Sequence, residues 1–473
     1  MKKFIKKIKS NKLLSILSVL IIGVFFILIA RVTYAYLAPV FNSAKTDVMG
    51  SSDTVDDFKF ELGNPLKINA TPTTLKENGS NYTTSTTAKA LLKANSTKKT
   101  ATYNYYVYFQ IASNTFTYSD GSTPEIILTV TNPNGEEVTS IEGLTYGTFN
   151  GVSGFDVTTK KGLFNIANNH EITSNSSTSY TTQSWTIKIT YLNLSIDQST
   201  NFGNSMGVNI YITKTKKVLL TDYVISQYTA TQGDNSLYYH DSSLANGAGD
   251  NSYRYAGPSD SVNNYICLGS DEATCPDANL FRIIGVFGDK TKVIRAKSVG
   301  YKQWHSSQVN TWSSSSLNTY LNGEYLTSLG TIAEKIATTT WKVGGGSITY
   351  LQDVPKTAYQ YEVGSSASTT TVDKKIGLMY VSDYGFAADQ SGWTKGLGFY
   401  GSYTSKNWLY LGSNEWTISR CSDHANGAFR VYSGIVYDDT VTTSYAVRPT
   451  FNLEASITYV SGSGSMSDPV RVN

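Results

Sequence analysis

Leu13 to Ala30 is a run of 18 residues (LLSILSVLIIGVFFILIA) that carries no charge and sits directly behind a lysine-rich tail. As a helix it would rise about 27 Å, close to the roughly 30 Å hydrocarbon core of a bilayer. Lys2, Lys3, Lys6, Lys7, Lys9 and Lys12 precede it, and Arg31 alone lies just beyond it. Basic flanks stay on the inner side of a membrane, so this asymmetry predicts a cytoplasmic N-terminus. The reading is a cytoplasmic basic tail at 1–12, then a transmembrane helix or signal-anchor at 13–36, with Arg31 snorkelling and Tyr34 and Tyr36 at the interface. A cleaved signal peptide is the alternative, although its apolar region is usually only about 7–15 residues long. A buried core helix would not have six lysines abutting a run with no polar face. Anchor and signal peptide both export the downstream chain, which is therefore expected outside the cell, or secreted if the segment is cleaved.

The charge distribution agrees with export. The whole chain has a formal net charge of +3, but the first 31 residues hold seven basic and no acidic side chains, which leaves 32–473 at −4 (+3 less +7). A nucleic-acid-binding chain keeps its basic excess on the folded part, so no nucleic-acid partner is expected. Charged residues are sparse at 16%, whereas 34 tyrosines and abundant Ser, Thr and Asn favour pleated strands and turns. The expected fold class is mostly β plus α+β: an N-terminal transmembrane helix, an antiparallel β-sandwich, then a loop-rich α+β domain.

Strand-like runs such as Tyr103 to Ile111, Glu125 to Val130, Trp185 to Tyr191 and Val208 to Ile212 alternate with turn clusters such as Asn132-Pro133-Asn134-Gly135. Seven to nine short strands at this spacing predict a β-sandwich over 45–216. A helix from Leu219 to Tyr228 and a polar Gly/Ser/Asn/Asp stretch read as a connection over 217–260. The segment Asn246 to Tyr253 lacks the spacing and terminal Glu of a calcium loop and reads as turns. The second domain, 261–473, holds six of the seven tryptophans. It opens with strands Leu280 to Phe287 and Lys292 to Ala296 around a Gly288-Asp289 turn. Leu317, Tyr320, Leu321, Tyr325 and Leu329 then mark one helix face behind capping serines. A short helix at 332–337, strands at Gly377 to Val381 and Trp408 to Tyr410, and a closing hairpin from Ala446 complete the expectation.

Cys267 and Cys275 enclose a short polar loop, and export places them where disulfides persist, so they are expected to pair. Two free thiols are the alternative. The spacing fits no zinc pattern, and His170, His240, His305 and His424 are too scattered to complete one. Cys421 is left over, in Arg420-Cys421-Ser422-Asp423-His424. A Cys/His nucleophile is conceivable there, but catalytic partners usually come from distant positions, so a lone thiol is the expectation. No nucleophile elbow, zinc-protease or phosphate-loop pattern is present. No catalytic residue, metal ligand or cofactor is therefore singled out. Trp304, Trp312, Trp393, Trp408 and Trp416 have two readings: an exposed platform for a glycan or protein ligand, or the core of a loop-heavy domain.

Several stretches carry a resemblance: Gly249-Asp250-Asn251-Ser252-Tyr253-Arg254-Tyr255, Tyr265-Ile266-Cys267 with Cys275, Leu280 to Val286, and Ile376 to Gly385. Glu415 to Ser419, Tyr445 to Pro449 with Leu453, and the ending Gly462 to Ser465 with Ser467-Asp468-Pro469 continue it. Together they resemble a domain of surface proteins in low-GC Gram-positive bacteria. The resemblance implies a cell-surface location and no particular activity. Its element order is similar to a C-type-lectin or formylglycine-generating-enzyme-like fold. The oxidase activity of the latter would need a cysteine pair at its site, which a structural use of two of the three cysteines puts in doubt. With Tyr34-Ala35-Tyr36 past the apolar run, the N-terminal half is similar in layout to exported β-sandwich subunits of the camelysin or matrix-fibre type. The leading expectation is a membrane-anchored extracellular protein that acts in binding or adhesion through its distal Trp-rich domain. The alternative is a structural envelope or fibre subunit that exchanges strands. An envelope-acting enzyme comes third; its sign would be a pocket with clustered acids, or Cys421 facing His424 or His305.

Overall fold

A computed structural model describes residues 56–64, 66–71 and 79–473; the basic tail, the apolar run over 13–36 and the first part of the expected sandwich lie outside the described residues. Among the described residues no helix is long and apolar enough to cross a membrane. The chain is mostly β, with strand at 39% against helix at 16%, and it divides into two compact units between Thr215 and Lys216.

In the first unit the two-residue period of a strand decides which side chains are buried. Along Thr181–Tyr191, Trp185, Ile187 and Ile189 are buried, whereas Thr186 is exposed and Lys188 half-buried. A six-stranded antiparallel sheet runs in the order Asp57–Leu62, Tyr82–Lys93, Thr181–Tyr191, Ile126–Thr131, Val152–Asp156, Tyr146–Phe149. A four-stranded antiparallel sheet runs Lys67–Asn69, Ser205–Thr213, Ala101–Asn114, Gly162–Ser174. Both feed one core, with Phe58, Leu92, Val130 and Ile187 from the first and Val107, Phe109, Ile111 and Ile212 from the second.

The second unit is organised on Leu280–Phe287, buried along almost its whole length. It pairs with Tyr265–Cys267 and, across the Gly288-Asp289 turn expected from the sequence, with Lys290–Arg295. On its far end it also receives Ser252–Tyr255, through Tyr253↔Val286 and Arg254↔Gly285. That approach requires glycine, because a Cβ at Gly285 would lie 2.1 Å from the Tyr253 carbonyl oxygen. A second sheet of five strands runs Tyr301–Gln303, Ser444–Ala446, Glu415–Arg420, Gly427–Tyr432, Ile435–Thr440.

Residues 217–260 are not a linker. The helix Leu220–Ser226 buries Leu220 and Val224, and Leu237–His240 pairs with Ser252–Tyr255 in the main sheet of the second unit. The Gly/Asn-rich stretch is the bend of that hairpin, where Asn246, Gly249 and Asn251 all take positive φ. Turn and linker share a composition, because both need residues that tolerate unusual backbone angles. Of the helix face read from Leu317, Tyr320, Leu321, Tyr325 and Leu329, all but the half-buried Tyr320 are buried, and the Ser315 hydroxyl accepts from the Asn318 amide at 3.0 Å. Its middle, Leu321–Tyr325, winds as a π-helix. The next turn, Gly330–Lys335, is 3₁₀. The expected strand at 377–381 is only Ile376–Gly377, because Val381–Phe386 turns into a helix; Trp408 to Tyr410 lies in a turn.

Cys267 and Cys275 form the expected disulfide. The loop they close is gripped from outside by Arg471, whose guanidinium donates to the carbonyls of Ser270 at 2.8 Å and Glu272 at 2.7 Å. Chain-entropy reasoning for so short a loop gives about 2.5 kcal/mol. Cys275→Ser is therefore expected to lower the stability of the second unit by about that amount. Tryptophan fluorescence during urea unfolding reads that unit preferentially, since six of the seven indoles lie in 261–473. An unchanged midpoint would show that the bond contributes nothing.

Candidate functional site

Three stretches that carry the resemblance or open the second domain converge on one cavity of about 360 Å³. Ser252–Tyr255 and the turn before it supply Asp250, Ser252 and Arg254; Lys290–Arg295 supplies Lys292; the N-terminus of Val381–Phe386 supplies Tyr380, Ser382 and Asp383. Phe287, Trp341, Tyr359 and Tyr380 provide aromatic wall. The volume falls in the lower part of the range of small-ligand sites, about 300–1,000 Å³.

The cavity is floored by buried ions. Arg254 Nη2 pairs with Asp250 Oδ2 at 2.6 Å, and its Nη1 lies 3.7 Å from Asp383 Oδ1. Lys292 Nζ donates to Asp383 Oδ2 at 2.5 Å. Ser252 Oγ links the first pair, accepting from Arg254 Nε at 2.8 Å and donating to Asp250 Oδ1 at 2.6 Å. The rings of Phe287, Phe386 and Tyr359 surround the Arg254 guanidinium at 4.6, 5.0 and 5.4 Å from their centroids. That arrangement suits a weakly hydrated planar cation. A second carboxylate, Glu362, lies behind the helix start and accepts the Val381 and Ser382 amides at 2.8 and 2.9 Å, together with the Ser419 hydroxyl. Asp383 itself accepts the Tyr380 amide at 2.8 Å. Three donors at the start of one short helix are thus taken by two buried acids.

Burial sets the proton affinities here. It pushes the Lys292 ammonium down, against the pull of Asp383, and pushes the Glu362 carboxyl up, against its hydrogen-bond donors. Burial would also raise the Asp250 carboxyl, but Arg254 and the Ser252 hydrogen bonds outweigh it and hold the carboxyl down at about 2.

The five tryptophans do not form a platform. Trp304, Trp393 and Trp416 are 0% exposed, Trp312 1% and Trp408 2%, which corrects the exposed-aromatic reading. Backbone carbonyls buried in this unit, in strands as well as in loops, need donors, and the indoles supply them. Trp304 Nε1 donates to Thr417 O, Trp393 to Ala388 O, Trp408 to Tyr255 O and Trp416 to Lys302 O, all within 3.0 Å. Trp341, which the sequence did not single out, is the indole that lines the cavity.

Cys421 does face His424, with Sγ 3.8 Å from Nδ1, but the same Nδ1 meets Asp438 Oδ2 at 2.6 Å. An imidazole nitrogen donating to a carboxylate has no lone pair left for a thiol proton. The thiol is buried, and burial pushes it up to about 11, so the arrangement makes no thiolate nucleophile. Asp438 holds the exposed His424 above its ordinary value. His305 turns its Nδ1 to its own loop, accepting from Ser307 N at 3.0 Å. His240 is fully buried, accepts the Ala248 amide and packs on Phe386 and Trp393.

The sequence missed the cavity because its charged residues are separated by up to 133 positions, Asp250 to Asp383. The available signal was a charge embedded in aromatic or apolar sequence within a low-charge chain, as in Tyr253-Arg254-Tyr255 and Tyr380-Val381-Ser382-Asp383-Tyr384.

Residues 288–455 match a family model described as a domain of unknown function, DUF6273. The match includes Lys292, Trp341, Tyr380 and Asp383 as well as Cys421, His424 and Asp438. It stops short of Asp250, Arg254 and the disulfide. No curated protein and no solved structure matches the chain.

Removing one member of a buried ion pair leaves an uncompensated charge, which costs roughly 3–5 kcal/mol. Asp383→Asn should therefore destabilise the second unit by about that much in urea unfolding, and adding Lys292→Met should restore much of the loss. A second expectation concerns acid. The folded Asp250 carboxyl lies below its unfolded value, so its contribution is present above about pH 4 and is lost as pH falls toward 2. Asp250→Asn should flatten the decline of stability between pH 4 and 2, read from thermal midpoints; a curve parallel to wild type would contradict the assignment.

Proposed function

We propose that this chain is an exported, membrane-anchored surface protein that acts by binding, and that the Arg254–Lys292–Asp383 cavity of its second unit is the ligand site. The observation that carries the reading is the cavity itself, where fixed, buried hydrogen-bonding groups stand beside four aromatic rings. A small polar ligand with an apolar face, such as a sugar residue of a glycan, suits that mixture. Export is supported by the lysine-flanked apolar run and by a disulfide, which persists in oxidising surroundings. The resemblance to surface-protein domains of Gram-positive bacteria points the same way. In this reading the N-terminal half, a β-sandwich past the membrane helix, is a stalk, and the loop-rich α+β half is the contact module.

A second reading, a structural envelope or fibre subunit, is favoured by one feature. Gly162–Ser174 is a 13-residue strand at the open edge of the four-stranded sheet, and a long edge can take up a strand from another chain.

The test blocks the cavity without touching its floor. Thr340 is exposed at the rim, and Thr340→Trp should close the mouth while leaving the ion network in place. Full-length wild type in detergent is expected to bind bacterial envelope glycans on an array, with at least a tenfold loss (about 1.4 kcal/mol) for the variant at unchanged thermal midpoint. Binding that ignores the blocked cavity would place the contact surface elsewhere.

A further inference from the structure

Outside the cavity, in the second sheet, three side chains of different donor chemistry meet. One donor atom each from Cys421, His424 and Asp438 lies within 4.8 Å of the other two. The first two belong to the turn after Glu415–Arg420, and Asp438 comes from Ile435–Thr440, two strands away in the sheet order. The geometry points to a divalent metal site of zinc type, with these three residues as ligands and a fourth position open to solvent. Such a site stands independently of ligand binding in the cavity.

Donor chemistry comes first. A thiolate, an imidazole and a carboxylate form a mixed set that suits zinc and its first-row neighbours, not calcium or magnesium, which prefer oxygen alone. Distances come second. Zinc–sulfur and zinc–nitrogen bonds of about 2.3 and 2.0 Å at a tetrahedral angle place the two donors about 3.5 Å apart. Sγ and Nδ1 are already 3.8 Å apart. The Nδ1–Oδ2 separation of 2.6 Å is that of a hydrogen bond and would have to open by roughly 0.7 Å to admit the ion. His424 can give that much, since its side chain is 54% exposed.

The room for an ion is the third observation. A Cβ at Gly427 would stand 3.1 Å from Asp438 Oδ2, 3.1 Å from His424 Cβ and 3.3 Å from Cys421 Cβ, against all three ligand side chains. Gly427 is not among the positive-φ glycines, so its backbone does not demand glycine. The missing side chain leaves the three ligand side chains uncrowded on this flank.

The turn is also fixed in advance. Buried Asn310 donates through Nδ2 to the carbonyls of Cys421 and His424, each at 2.7 Å, and of Gly427 at 2.8 Å. On the other side the Ser422 amide donates to Gly346 O at 2.9 Å, and Asp423 Oδ2 accepts the Ile348 amide at 2.8 Å. Such a clamp holds ligands where an ion would need them and lowers the ordering cost of binding. Metal loading would replace the thiol proton of Cys421 and the proton shared between His424 and Asp438, releasing them to solvent.

The test uses the full-length protein with its disulfide intact, stripped with a chelator and kept under an oxygen-free atmosphere. Titration with Zn²⁺ against a chromophoric chelator should give one ion per chain, and Co²⁺ should give a thiolate-to-metal band in the near ultraviolet. His424→Ala, at an exposed position, should keep the thermal midpoint of the stripped protein and weaken Zn²⁺ binding roughly tenfold or more. Cys421→Ser should abolish the Co²⁺ band. Gly427→Ala should weaken binding while every ligand remains. Absence of stoichiometric Zn²⁺ at micromolar free metal would overturn the site, and so would variants that bind like wild type.

Discussion

Asp383 is the point on which the second unit turns. Its carboxylate takes the Lys292 ammonium and the Tyr380 amide and stands beside the Arg254 guanidinium, so one side chain joins two strands of the main sheet to the start of Val381–Phe386. Taking so many charges from water costs several kcal/mol per ion, and well-packed apolar residues of similar volume would often be as stable or more so. Stability alone therefore does not account for the arrangement. A buried ion network fixes geometry, because each partner must satisfy particular lone pairs and protons. Fixed polar groups beside an open cavity are what a selective binding site needs.

The aromatic content follows from the same need to satisfy buried polar groups. The second unit buries backbone carbonyls in strands and loops alike, and each requires a donor. Tryptophan supplies a large apolar surface and one N–H, and four of the five indoles singled out from the sequence donate to backbone carbonyls. Around Arg254 the rings act differently, since their faces accept the cation and reduce the cost of removing it from water. The five tryptophans thus serve the core, and they give no outward platform.

Local signals were legible where one element decided them. The Gly288-Asp289 turn, the buried face at Leu317, Leu321, Tyr325 and Leu329, the Ser315 cap and the Cys267–Cys275 bond follow from turn chemistry, period and loop closure. What failed depended on contacts between distant segments. The 217–260 stretch read as linker because a hairpin bend and a linker use the same residues, and only the close approach at Gly285 reveals that Arg254 joins the sheet. Met379-Tyr380-Val381 has a strand-like sequence, yet Glu362 and Asp383 cap its amides and start a helix there. Asp383 sits only three residues after Tyr380, a local cap that a strand-like period does not register, whereas Glu362 lies 19 residues before Val381, outside any window that a period could test.

The cavity and the Cys421–His424–Asp438 cluster are separate in chemistry but share a scaffold. Lys342 lines the cavity, and of the three glycines just beyond it, Gly344 to Gly346, the middle one packs against Arg420 at the end of Glu415–Arg420. Gly344 O accepts Arg420 Nε at 2.8 Å, Gly346 N donates to Arg420 O at 3.2 Å, and Gly346 O accepts the Ser422 amide. From the same strand, the Ser419 hydroxyl reaches Glu362, which caps the helix that presents Asp383. A Cβ at Gly345 would meet the Arg420 carbonyl oxygen at 2.0 Å, so this seam is closed by direct backbone contact and has no slack for a larger residue. Backbone on both sides of Glu415–Arg420 therefore positions the cavity wall and the Cys421–His424–Asp438 cluster at once. The 342–346 segment and the turn that carries Cys421 and His424 are held against each other by backbone contact and by the Arg420 side chain, at close-packed density.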